Sequence, residues 1–233
     1  MTQGYVFKSF DDKAALQQAS ADWIAARLDD AIKRRGSAIF MGSGGRTPGP
    51  IYETLSQANL DWAKVQVGLC DERWVDSDHS ASNGAMLERT LLQNKAAAAD
   101  YVPMKIRGDD PFAAVAVVND FYLDAGLTDV MLLGMGPDAH TLSWFAGARG
   151  YEAAVDPDTT SIVAAIEAIE SEVTGPNLLR MTLTQPCVAY ARNVLLLITG
   201  ADKRDVFETA PADAPVSLMK RAAGDALTVY YCD

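Results

Sequence analysis

Short apolar runs alternate along this chain with longer stretches of helical spacing. Val130 to Leu133 and Val194 to Ile198 are continuous apolar runs, the pattern of strands covered on both faces. Ser37 to Met41, Val65 to Leu69 and Leu227 to Cys232 read as further strands, Tyr5 to Phe10 as an opening one, and Ser161 to Ile166 and Leu178 to Thr184 as weaker ones. Asp11 is placed to cap a helix running to about Arg35, with Leu16, Ala19, Trp23, Ala26 and Ile32 near helical spacing. Helices are also expected around Ile51 to Ser56, Ser82 to Gln93, Phe112 to Ala125 and Asp202 to Glu208, with Thr209 to Pro215 as a loop. Strands alternating with helices predict an α/β sandwich around a mainly parallel sheet.

Polar clusters begin where the apolar runs stop. GSGGRTP follows Met41, DER follows Cys70, GPDAH follows the Val130 run and its glycines, and GADK follows the Val194 run. Loops leaving the carboxyl ends of parallel strands share one edge of the sheet, so these distant segments are expected to meet.

The loop Gly42 to Pro48 has the attributes of an anion cradle, because glycines expose backbone amides and a following helix presents its positive end. It is neither a Walker A loop, which needs Lys before Ser or Thr, nor a GxGxxG loop, since Thr47 stands at the last glycine position. Arg73 and Lys203, after two other strand ends, are either solvated surface cations or partners of the same anion. Arg180, at the start of a weak strand, is open to the same two readings. Asp71 can orient a histidine or a water, bind a sugar hydroxyl, or merely cap a turn.

The chain has only two histidines. His79 lies in a polar, Ser-rich loop and is assigned no chemistry. His140 follows the glycines after Leu133 and is expected near a helix N-terminus, where the dipole disfavours the protonated ring and leaves a neutral imidazole available as a base. There is no GxSxG elbow, and neither Ser43 nor Cys70 has the context of an activated nucleophile, which favours water.

Composition narrows the classes. The 233 residues carry a formal net charge of −11, which argues against a nucleic-acid or acidic-membrane partner but not against a small anionic substrate held by local cations. Three scattered cysteines form neither a disulfide framework nor a CxxC metal site, and no His/Cys/carboxylate spacing calls for a metal. The start MTQGYVFKSFDDKAA lacks the basic and apolar segments of a signal peptide, and no apolar run is long enough to span a bilayer. A cytoplasmic protein, monomeric or a small homo-oligomer, is expected.

These motifs, in order, resemble those of the glucosamine-6-phosphate isomerase/6-phosphogluconolactonase superfamily, and within it the lactonases. The family pattern SGGSTP stands here as Ser43 to Pro48 with Arg46 in place of serine, and DERxV is kept from Asp71 to Val75 with the SN pair at Ser82 and Asn83. GMGxDGHTASLFPG becomes GMGPDAHTLSWFAG, with Ala139 for glycine, Leu142 for alanine, Trp144 for leucine and Ala146 for proline. The segments Arg180 to Thr184 and Gly200 to Lys203 complete the match. Ala139 is the departure of most interest, since glycine there adopts a positive φ that alanine resists.

The resemblance implies one domain over residues 1–233, a three-layer α/β sandwich around a mainly parallel, modified Rossmann-like sheet. It implies hydrolysis of 6-phosphoglucono-1,5-lactone to 6-phosphogluconate without a cofactor. His140, Asp71 and Arg73 are the expected catalytic residues, and Gly44, Gly45, Arg46, Thr47, Asp138, Arg180 and Lys203 the expected substrate-binding ones. The related deaminases usually carry a glutamate in a later FNE segment, where this chain has Ser143, Trp144, Phe145 and Ala146. A sugar-phosphate-sensing module is the other rival, but no basic helix-turn-helix precedes Ser37.

Overall fold

The computed structural model describes residues 4–233, with residues 123–125 described by their backbone alone. The chain opens with β1 (Val6–Ser9), α1 (Lys13–Arg35), β2 (Ala38–Gly42), α2 (Pro48–Leu55), β3 (Val65–Leu69) and β4 (Asp71–Arg73). It continues through α3 (Asn83–Thr90), β5 (Asp100–Tyr101), α4 (Pro111–Ala125), β6 (Val130–Gly134), α5 (Tyr151–Val155) and β7 (Val163–Glu167). It ends with β8 (Leu179–Leu183), α6 (Gln185–Ala189), β9 (Val194–Thr199), α7 (Ala201–Thr209), α8 (Pro215–Ala223) and β10 (Leu227–Cys232).

Seven strands form one sheet in the order β1-β10-β9-β6-β2-β3-β5, with every pairing parallel. Flanking helices complete a Rossmann-like three-layer sandwich. The chain moves outward from β2 to β3 in one direction and from β6 to β9 and β10 in the other. The switch point is therefore the central β2–β6 pair, where Phe40 faces Val130 and Met41 faces Met131. Loops leaving these two strands diverge and open a crevice at their carboxyl ends, where such sheets bind ligands. The central strands bury nearly every side chain, Leu132, Leu133, Leu195, Leu196 and Val67 completely, which is why they read as unbroken apolar runs.

The weak strands at 161–166 and 178–184 belong elsewhere. Together with Asp71–Arg73 they form a second, antiparallel sheet, β4-β8-β7. The DER cluster, expected as a loop after β3, is thus itself a strand. Its polar residues defeat an apolar-run criterion, because the pairing is supplied by β8 some hundred residues later.

Other expectations shift at element ends. The cap of α1 is Asp12, not Asp11: its side chain accepts a hydrogen bond from Ala15 N at 2.8 Å. α2 starts at Pro48 rather than Ile51, with Pro in its first turn where no N–H donor is needed. α3 ends at Thr90 and gives way to a 3-10 turn over Asn94–Ala98. Short β5, α5 and α6 carry too few periodic positions to have been read, whereas α8, directly after the Ala/Pro-rich loop, was missed although Val216, Met219 and Ala223 stand at helical spacing. No helix among the described residues is long and apolar enough to cross a membrane.

Candidate active site

Ser43 bridges the switch point, its hydroxyl donating to Leu132 O at 2.7 Å while its own carbonyl accepts from the buried Tyr52 hydroxyl at 2.8 Å. This fixes the start of the glycine loop. Gly44 then passes so close to Asn83 that a Cβ would overlap the Asn83 amide, and Gly45 takes φ +108°. The loop ends at Thr47, the first residue before α2, so its amides and the helix N-terminus open into the crevice.

The loop lines a cavity of about 450 Å³ with Asp71, Arg73, Asn83, Gly136, His140, Arg180 and Lys203. All four strand-end clusters contribute to it, as the parallel sheet requires. Gly44, Gly45, Arg46 and Thr47 lie along one wall. Lys203, from the first turn of α7, donates to Met135 O at 2.7 Å. Burial and then the neighbouring Arg46 charge push the Lys203 ammonium below the usual lysine range, against an opposing pull from Asp138. Two cations at close quarters are better satisfied with an anion between them.

The second sheet supplies the opposite wall. Arg73 and Arg180 are register partners on β4 and β8. Arg180 is only 4% exposed and is anchored by Thr174 O at 2.8 Å and Asn177 O at 3.3 Å. Burial pushes its guanidinium below the ordinary range, Asp71 opposes the shift and Arg73 adds to it. Arg73 donates to Ala81 O at 2.7 Å, while its Nε is buried without a partner. Neither arginine is a solvated surface cation.

Asp71 is buried, accepts from the Ser143 hydroxyl at 2.6 Å and has the Asn83 amide at 3.5 Å. Glu72, its neighbour, faces away from the cavity. It accepts from Arg73 N, Ser82 Oγ, Asn83 N and Gly84 N, and so holds the N-terminus of α3 against β4. Burial pushes the Glu72 carboxyl up, and these donors oppose that. The SN pair of the sequence is explained by this carboxylate and by the close approach to Gly44.

His140 stands in the turn-rich segment after β6, and the next helix begins only at Tyr151. The expected helix dipole beside it is therefore absent. Its electrostatic partner is Asp138, whose Oδ1 lies 2.5 Å from Nδ1. Burial raises the Asp138 carboxyl, but the hydrogen bond and charge of His140 outweigh it and hold the group below the usual carboxylate range. Asp138 itself lies outside the cavity lining, behind the imidazole. With Nδ1 engaged, Nε2 is the nitrogen left for the cavity.

Two side chains not singled out from sequence complete the site. Ser143 reaches Asp71, and Phe145 lies against His140 with ring centroids 4.5 Å apart. No sequence spacing marks either contact, because both depend on how the loop folds back onto β8: Ser143 N donates to Thr182 Oγ1 and Trp144 Nε1 to Leu183 O. His79, by contrast, accepts from Ala81 N in an exposed turn and is not among the residues lining the cavity. A second cavity of about 440 Å³, lined by Tyr122, Leu127, Cys187 and Tyr190 among others, contains no cationic residue. Among the described residues no cluster of His, Cys, Asp or Glu could hold a metal ion.

The model of the family described as glucosamine-6-phosphate isomerases/6-phosphogluconolactonase matches residues 11–228. The chain is 36% identical over 228 residues to a 6-phosphogluconolactonase of Rhizobium meliloti, covering 95% of this chain and 96% of that one. It is 33% identical over 235 residues to that of Neisseria meningitidis, covering 98% and 100%. The crystal structure of a 6-phosphogluconolactonase from Shewanella baltica superposes with a TM-score of 0.88 at 32% identity, covering 98% of each chain. On its sequence and on its fold, the chain belongs to the glucosamine-6-phosphate isomerase/6-phosphogluconolactonase family.

Proposed function

We propose that this chain, acting as one catalytic domain over residues 1–233 in the cytoplasm, hydrolyses 6-phosphoglucono-1,5-lactone to 6-phosphogluconate. The observation that carries this is His140, held by Asp138 through Nδ1 and lining a cavity rimmed by a glycine loop and cations. The substrate phosphate lies on Gly44, Gly45, Arg46 and Thr47, with Lys203 and Arg73 as cationic partners and Arg180 as a third.

His140 takes a proton from water as the water attacks the lactone carbonyl, then returns it to the ring oxygen when the tetrahedral intermediate opens. Asp138 orients the imidazole and stabilises the imidazolium, the part a carboxylate plays behind a catalytic histidine. Asp71, fixed by Ser143, orients the water or a substrate hydroxyl. Arg73 or the amides of the glycine turns stabilise the oxyanion. General-base action is worth about 10²- to 10⁴-fold, and a lactone is already a reactive ester, so one base with good positioning is sufficient.

The neighbours of His140 favour this over the deaminase. Ring opening and proton transfer on an amino sugar call for a further carboxylate, and the side chain against the imidazole is Phe145. The deciding measurement is lactone hydrolysis above the spontaneous rate, read through 6-phosphogluconate dehydrogenase, beside ammonia release from glucosamine 6-phosphate. Hydrolysis without ammonia supports the lactonase; ammonia release, or sugar-phosphate binding with no turnover, overturns it.

A further inference from the structure

The His140 hydrogen bond to Asp138 fixes one edge of the imidazole and leaves rotation about that bond open. Two groups close that freedom. The first is Gly136, where a Cβ would overlap Nδ1 and Cε1 of the imidazole and the Asp138 carboxylate, so these atoms pack against bare backbone. The second is Phe145, 7% exposed, its centroid 4.5 Å from that of the imidazole at 37° between planes. The same phenyl ring carries the Arg180 guanidinium, with Cζ 5.0 Å from its centroid. Phe145 thus touches both Arg180, a buried cation of the cavity wall, and the proposed base.

The geometry points to Phe145 as a positioning residue that holds the His140 ring against Gly136 and makes its placement depend on Arg180. The proposal rests on the lactonase reading for its kinetic consequence, though not for the contacts themselves. An aromatic face suits both neighbours: it offers the flat wall an imidazole packs on and the negative quadrupole a guanidinium prefers. An aliphatic side chain of similar volume supplies neither. When an anion engages Arg180, any movement of the guanidinium is transmitted through a close-packed ring to the imidazole.

The test is a mutant cycle. F145L should lower kcat at least tenfold with KM within threefold, and F145Y, which keeps the ring, should restore most of the loss. In the H140N background the F145L effect on kcat should shrink to less than twofold, because Phe145 acts through His140. An F145L effect undiminished in H140N, an unchanged kcat, or F145Y as impaired as F145L overturns the proposal.

A second readout does not require turnover. With two histidines in the chain, the Cε1 proton of His140 is assignable by comparison with H140N. Inorganic phosphate should shift that resonance in the unmodified protein and F145Y, and by less than half as much in F145L. No response in the unmodified protein, or an equal response in F145L, sinks the coupling. Should the chain hydrolyse no lactone, the functional reading fails, while this measurement still decides the role of Phe145.

Discussion

Arg73 and Arg180 stand directly opposite one another across the antiparallel β4–β8 pair, and both line the same cavity. Residues paired in this way project from one face, so two positive charges are held together where like charges ordinarily destabilise a sheet. Asp71, two residues before Arg73 on the same strand, offsets part of that repulsion. An anionic substrate relieves the rest, and R73A is expected to raise KM at least tenfold. Unchanged kinetics in R73A would remove it from the site.

His140→Asn should lower kcat by about 10²-fold or more while phosphate binding stays nearly intact. Asp138→Asn should lower kcat about tenfold through loss of ring orientation. The Asp138 carboxyl titrates below its usual 3.8, so the stability contributed by this carboxylate is present above that value and is lost as the pH falls through the lower, folded-state value. Acid denaturation followed for both proteins checks this: D138N should lose the part of the acid transition due to this group.

Lys203 titrates below the usual lysine value of 10.5. The cationic form that binds phosphate is therefore lost at a lower pH than for a free lysine, and KM should rise on the alkaline side. K203R keeps its charge and should show a flatter alkaline limb, while K203A should have a high KM at every pH. Identical KM profiles for K203R and the unmodified protein would exclude Lys203 as the titrating group.

Ala139 adopts φ +66°, the left-handed conformation a glycine would take, and Leu142 adopts φ +51°. The alanine here accepts a left-handed backbone and its strain. A left-handed alanine costs roughly 1–2 kcal/mol, of which glycine's greater freedom in the unfolded chain takes back about 0.4–1. Ala139→Gly should accordingly stabilise the protein by about 0.5–1 kcal/mol, a rise in Tm of about 2 °C for a chain of this size. A lower Tm would contradict this account.

Removing the Ser143 hydroxyl leaves the buried Asp71 without its shortest hydrogen bond. Ser143→Ala should cost about 1–3 kcal/mol in denaturant unfolding, the penalty of an unsatisfied buried polar group. Ser143→Thr, which retains the donor, should lose less. Equal stability of S143A and the unmodified protein would show that water replaces the hydroxyl.

The central strands were legible because burial on both faces leaves an unbroken apolar run, and the carboxyl ends of parallel strands meet by topology. From that much alone, Gly44, Gly45, Arg46, Thr47, His140 and Lys203 fall at one edge of the sheet. Asp71–Arg73 could not be read as a strand, since its partner β8 is supplied by a weakly patterned segment far along the chain. The same long-range pairing places Arg180, open on the residues alone to a surface reading and expected in the site only through the resemblance, as a buried wall of the cavity. The fold of the loop onto β8 also brought Ser143 to Asp71 and Phe145 to His140, while the partner that stands in place of the expected helix dipole, Asp138, is local to His140. Sequence by itself determined which residue types reach the switch point, because strand ends and glycine turns are local. Tertiary structure decided which of them touch, because contacts such as Ser143 with Asp71 and Arg180 beside Arg73 join segments that share no period and no neighbourhood in the chain.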